Sequence, residues 1–170
     1  RHAQRKVIVA KMQASAASTK LREETISFRL IAAPGYPEMA DEMFTLNSDR
    51  NETAFVIVDS PFRITPTQAI TWVQGTNATA NGEAGLVSGN TYGATYYPSV
   101  LTSDPVSGKN VIAPASHSVL YTYAYNDSVA FQWFAPAGLT RGQVQNATNV
   151  GYLNSEGEFV AVALTQGDRD

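Results

Sequence analysis

Phe28-Arg29-Leu30-Ile31-Ala32-Ala33-Pro34-Gly35-Tyr36-Pro37 is the stretch from which the fold is read. Leu30 to Ala33 is a short, nearly continuous apolar run, the pattern of a strand covered on both faces. Pro34 and Gly35 stop it, since proline removes a ladder donor and glycine reaches dihedrals closed to other residues. A helix-like pattern begins at once after Tyr36. The same order returns at Ala54–Pro61 (Ala-Phe-Val-Ile-Val-Asp-Ser-Pro) and at Tyr92–Pro98 (Tyr-Gly-Ala-Thr-Tyr-Tyr-Pro). Each run ends at a turn signal and leads toward a helix or loop, which calls for crossover connections and parallel pairing. The fold class expected is α/β: a mainly parallel or mixed sheet, with strands near Ile26–Ala33, Ala54–Val58 and Tyr92–Tyr97, flanked by helices.

Outward from these strands, residues Ala3–Thr19 contain no glycine or proline and predict a helix. Ile8, Met12 and Ala16 form its inner stripe, widened by Val7, Ala10, Ala14 and Ala17. Charged Lys20–Thr25 ends it. Pro37 suits the first position of a second helix, and Glu38, Asp41 and Glu42 place negative charge near its N-terminus. Met39, Met43 and Leu46 share its inner face with Ala40 and Phe44 beside them, and Asn47-Ser48-Asp49 closes it. Thr65, Pro66 and Gln68 match an N-cap, a first-turn proline and a capping-box partner. Ala69, Ile70, Trp72 and Val73 give that third helix its buried side, and Gly75 its stop. Asn77–Asn90 is a polar loop. Thr102–Asn110 reads as a surface loop turning at Asp104-Pro105 and Gly108, with Val111-Ile112 as a short strand. A fourth helix starts near Ser116, after Pro114, with Val119, Leu120, Tyr123 and Ala124 inward. Trp133–Gly138 is an apolar segment ended by turn residues. Val150–Leu153 and Phe159–Leu164 flank Asn154-Ser155-Glu156-Gly157 and predict a C-terminal β-hairpin.

At 170 residues, one α/β domain spanning residues 1–170 is expected, burying roughly 70% of its extended surface. With 44% hydrophobic and 16% charged residues, the interior is ordinary and the surface rather uncharged, as in domains packed against neighbours. A formal net charge of −3 argues against binding a phosphate backbone as the main task. Arg1, Arg5, Lys6, Lys11, Lys20 and Arg22 cluster at helix-like spacing and read as a solvated helix face. The absence of cysteine excludes disulfides, thiol nucleophiles and cysteine-based zinc sites. No apolar run approaches the roughly 20 residues that span a bilayer, and no signal peptide is visible. Asn51, Asn77, Asn126 and Asn146 head glycosylation-type triplets, read as chance in a chain rich in Asn and Thr. The chain opens on Arg1 and closes on polar Gly167-Asp168-Arg169-Asp170, so a fragment of a longer protein is expected.

Asp59 stands at the C-terminal end of the second strand, where α/β enzymes keep catalytic groups. The plainer alternative is a turn cap bonding nearby backbone amides. No second carboxylate, phosphate loop or metal-ligand spacing accompanies it, so the cap is expected. Ser116 and His117 with Asp127 are the residue types of a hydrolase triad, yet adjacent residues on a helix do not face each other. A Gly-x-Ser-x-Gly elbow is absent. His117 is expected to bond backbone at its helix start, and His2, the second histidine, is too little for a metal site. Gly82–Gly89 holds three glycines without the spacing or helix start of a phosphate loop. Tyr92, Tyr96, Tyr97, Tyr121, Tyr123 and Tyr125 supply material for a sugar or base platform, but a core-to-interface role is expected of them. No catalytic residue, metal or cofactor is therefore assigned. A Rossmann-like hydrolase or transferase using Asp59 is the alternative, and a binding domain displaying tyrosines the third reading.

Five segments in order carry a resemblance: Leu30–Pro37, Ala54–Pro61, Tyr96-Tyr97-Pro98, Pro114–His117 opening a helix with Ala124-Tyr125-Asn126-Asp127, and Trp133–Gly138 ending in Ala-Pro-Ala-Gly. The chain resembles the tail sheath proteins of contractile-tailed phages, most nearly those of giant Pseudomonas phages of the phiKZ kind. Each motif is weak alone; the shared order over Leu30–Gly138 is more specific. Departures exist: the family often has Pro-Pro-Ser-Gly-His where this chain has Ala113-Pro114-Ala115-Ser116-His117, and a lysine where Phe134 stands. The resemblance implies a structural, non-enzymatic role without cofactor. Its partners would be other copies in hexameric rings and the tail tube, not nucleic acid or membrane. The place implied is the phage tail of the virion, and the host cytoplasm during assembly. The isolated fragment, lacking the segments that link subunits, is expected to be monomeric.

Overall fold

Strand β2 (Phe55–Asp59) is the axis of the computed structural model, which describes residues 2–76, 84–86, 91–131 and 133–168. Among the described residues the strands form two sheets. The first is parallel, ordered β1 (Leu30–Ala32), β2, β3 (Gly93–Tyr96). The second is antiparallel, ordered β5 (Asn110–Ala113), β4 (Ser99–Ser103), β6 (Asn149–Leu153), β7 (Phe159–Ala161). The α/β class holds, with both parallel and antiparallel sheets and the C-terminal hairpin in place.

Alternation along β2 sorts the layers. Val56 and Val58 point to one face and Phe55, Ile57 and Asp59 to the other. The first face meets α2 (Ala40–Asp49), entered through a 3-10 turn at Pro37–Met39, and α3 (Pro66–Val73). Met39, Met43, Ala69, Trp72 and Ile64 close over the two valines as the main core. Both crossovers step the same way across the sheet, from β1 to β2 to β3, and two right-handed crossovers in one direction put both helices on one face. That leaves the other face for α4 (Ala115–Val129), where Tyr123 meets Phe55 at a ring separation of 6.2 Å. Full burial of each large apolar side chain contributes about 1.5–3 kcal/mol, so β2, covered on both sides, anchors the molecule.

Helix α1 (His2–Ala16) forms a further layer on α2. Arg5 donates from Nε and Nη2 to the two Glu38 oxygens at 2.6 and 2.7 Å, and Gln13 donates to Glu42 at 2.6 Å. These bonds accompany the rotation that the packed residues of the helix set. Val9, Met12 and Ala16 pack on the core, whereas Val7 and Ile8 are exposed, correcting the stripe expected through Ile8. The basic cluster is likewise partly consumed by α2, since Arg22 donates to Asp49 at 2.7 Å.

Helix boundaries follow their signals where those are local. Thr65 and Gln68 form the capping box of α3, and Gly75 (φ +84°) ends it in a Schellman arrangement, with Thr76 N–H donating to Thr71 O and Gly75 N–H to Trp72 O. On that helix Ala69 and Trp72 are buried, but Ile70 and Val73 face outward. The first strand is shorter than Ile26–Ala33. Arg50 draws the carbonyls of Leu21, Glu23 and Ile26 onto the end of α2, away from the sheet. Leu30 is 37% exposed, because β1 is an edge strand beyond the cover of α4.

The third strand departs most from the reading. It leads to no helix; a cis Tyr97–Pro98 bond passes the chain straight into β4. Residues 99–103, partly assigned above to a loop, pair with both β5 and β6, and the turn shrinks to 104–109, closed by Asp104 N–H to Lys109 O. The buried stripe of α4 also differs. Ser116, Ser118, Thr122 and Asn126 are its innermost residues; Val119, Leu120 and Tyr123 are half-buried and Ala124 is exposed.

Candidate functional site

Asp59 is buried at the C-terminal end of β2, and all its bonds are to distant segments. Oδ2 accepts from the Gly35 amide at 2.8 Å and from Ser116 Oγ at 2.7 Å; Oδ1 accepts from the Ser116 amide at 2.7 Å. The expected local turn cap is thus corrected: the capped amides lie 24 and 57 residues away in sequence.

Local chemistry prepares each partner. Gly35 takes φ +78° in the turn after β1, which presents its N–H inward. Pro114, at the N-cap of α4, has no side-chain oxygen to cap the first turn. Asp59 supplies that acceptor from the neighbouring strand, and its charge also sits favourably at a helix N-terminus. The carboxylate therefore joins the end of β1, the end of β2 and the start of α4. Chemically this is an anion held by three donors, an arrangement that fixes geometry.

The triad residues do not converge. Ser116 is spent on Asp59, while His117 and Asp127 are exposed, with the His117 N–H bonded to Pro114 O. At 1.5 Å per residue, Ser116 and Asp127 stand about 16 Å apart along the helix. Among the described residues no group of three His, Cys, Asp or Glu is placed to hold a metal ion, and no helix is long and apolar enough to cross a membrane. The side chain of His2 lies outside the described residues, as do Asn77, Gly82 and Gly89.

Of the glycine-containing stretch, residues 84–86 are described and clip the end of α3. Trp72 Nε1 donates to Ala84 O at 2.8 Å, and the Leu86 amide donates to Trp72 O at 2.9 Å. A cleft of about 170 Å³ opens there, lined by Pro37, Glu38, Asp41, Pro61 and Trp72 among others; Asp59 does not line it.

The tyrosines are dispersed rather than stacked as a platform. Tyr97 donates to Ile64 O at 3.0 Å, and Tyr92 and Tyr121 are exposed. Tyr96 and Tyr123 share a hydrogen bond of 2.6 Å between their hydroxyls. Burial, then the Tyr123 hydroxyl, pushes the Tyr96 phenol well above its usual range. Sequence reasoning named Asp59 and Ser116 separately and missed their pairing; the signal was a strand-end carboxylate together with a helix whose N-cap is proline. Asn126, head of a glycosylation-type triplet, is 2% exposed and donates to Phe134 O, so it is a packing residue. Neither a comparison with known protein families nor one with curated proteins finds a match to this chain.

Proposed function

We propose that the chain belongs to a contractile phage tail sheath subunit, whose copies stack in hexameric rings around the tail tube and contract to drive it through the host envelope. The observation that carries this reading is the Asp59 node. Gly35, Asp59 and Ser116 come from three separate segments of the sheath-like motif series, and they meet in one buried set of hydrogen bonds. The segments that resemble sheath proteins are here segments that hold the fold, as suits a subunit that moves as a rigid body, although Ser116 itself stands where the family often has glycine. Both oxygens of the Asp59 carboxylate are engaged by these donors, which favours this role over its use by a hydrolase or transferase.

In this reading the partners are other copies of the subunit and the tube, the site of action is the phage tail, and no cofactor takes part. The isolated chain is a monomer at micromolar concentration, because association costs several kcal/mol of rigid-body freedom and lattice contacts act strongly only together. Co-expression of the parent open reading frame with the tube protein encoded beside it tests the proposal. Striated tubes with sixfold symmetry in electron micrographs are expected. A dispersed protein that turns over a phosphate ester or nucleotide would overturn it.

A further inference from the structure

From residue 3 to residue 28 no side chain is fully buried; the first that is, Ala33, follows β1. Helix α1 rests on α2 and the turn before it through Val9, Met12 and Ala16, each only partly covered. The rest of the hold is polar and runs along the segment. At one end Arg5 takes both Glu38 oxygens, donates to Gly35 O at 2.9 Å and lies over the Tyr36 ring at 4.8 Å. Further on, Gln13 donates to Glu42. Arg22 then binds Asp49 while donating to the carbonyls of Ala16 and Ser18 at 2.8 and 3.0 Å. At the far end the Arg50 guanidinium holds the carbonyls of Leu21, Glu23 and Ile26 and sits 4.2 Å from the centre of the Phe28 ring.

We infer that residues 2–28 are a strap that lifts off α2 as one unit while the α/β body from residue 29 onward stays folded. Local opening follows scarce buried apolar contact, and three partly covered side chains hold less than the fully buried valines of β2. A helix of 15 residues is marginal in water on its own. Helix α1 also has no acid in its first turn and no base in its last to offset its dipole. Helicity and docking therefore go together: once α1 leaves α2 it melts, and Arg22 no longer ties Ala16 and Ser18 to Asp49. Partly exposed ion pairs are weak singly and weaker as salt rises; the Arg5 and Glu38 side chains are each 36% exposed. Ionic strength is thus what opens the strap, and the row Glu38, Glu42 and Asp49 on α2 is what it uncovers. The body is the same with the strap on or off, so the inference stands apart from the sheath reading.

Amide hydrogen exchange on the whole chain tests this, with the amides of β2 as internal reference and each end of the strap cut in turn. Arg50→Ala removes the far clasp, and exchange at the Val9 and Met12 amides should rise about tenfold, as expected for losing bonds from a charged donor. Arg5→Gln cuts the near end. It should speed, by a similar factor, the Glu23 and Ile26 amides, which are bonded within the strap to Lys20 O and Glu23 O. Sodium chloride at about 1 M, where the Debye length is about 3 Å, should speed all of these amides together about threefold. In every arm β2 keeps its rate. Acceleration confined to the residues beside each substitution would mean separate fraying at two ends. Acceleration of β2 in step would mean that residues 2–28 open only with the whole molecule. Either result overturns the inference, and so does exchange indifferent to salt, since the fastening would then not be ionic.

Discussion

At the scale of single residues, Asp59 and Tyr96 carry the sharpest expectations. Asp59→Ala orphans two buried amides and a hydroxyl, and a buried donor without a partner costs about 1–3 kcal/mol. A loss of about 3 kcal/mol is expected, read as a urea midpoint lower by about 1–2 M. Ser116→Ala keeps the amide bond to Asp59 and should cost about 1 kcal/mol. Equal losses for the two would mean that the carboxylate is not the hub. Tyr96 has a folded-state pKa raised by burial and by Tyr123. Its contribution to stability is intact below the unfolded value of about 10 and is lost as pH rises above that, because the unfolded chain ionises first. Alkaline thermal scans of Tyr96→Phe should show a flatter decline than the parent chain. Identical slopes would remove Tyr96 from the account.

Two glycines of the C-terminal hairpin separate close approach from backbone conformation at the scale of elements. A Cβ on Gly151 in β6 would stand 2.1 Å from the Val160 carbonyl oxygen across the pair with β7, a backbone atom that cannot move aside cheaply. Gly151→Ala is expected to cost about 2 kcal/mol, in the range of overpacked sites. Gly157, at the turn, has φ +85° and open space around it. Gly157→Ala meets only the left-handed penalty of about 1 kcal/mol. Melting temperatures of the two variants check the order; a larger loss at Gly157 would show the hairpin to be limited by its turn.

Across the whole molecule, stability is expected to be uneven. The parallel sheet has β2 buried on both faces, while the antiparallel sheet exposes much of β5 and β7. Local opening follows buried apolar contact, so amides of β2 should exchange with deuterium slowest and those of β7 much faster. Exchange of β7 as slow as that of β2 would mean that both sheets open as one unit.

Much of this was written locally. Pro34-Gly35, the Thr65–Gln68 box, Gly75 and the Asn154–Gly157 turn act within a few residues, so composition and spacing determined three parallel strands, the start and stop of α3 and the terminal hairpin. What depended on partners far along the chain was decided by the tertiary structure. Ser99–Ser103 became a strand because β5 and β6 offered it two ladders. The face of α1 that packs is Val9, Met12 and Ala16 rather than the stripe through Ile8, a rotation that also lets Arg5 and Gln13 reach Glu38 and Glu42. Asp59 found its donors 24 and 57 residues away because the parallel sheet brings the end of β1 beside that of β2 and lays the start of α4 over them. Sequence spacing records what a residue can reach along its own element; a crossover fold brings together residues whose separation along the chain carries no such record.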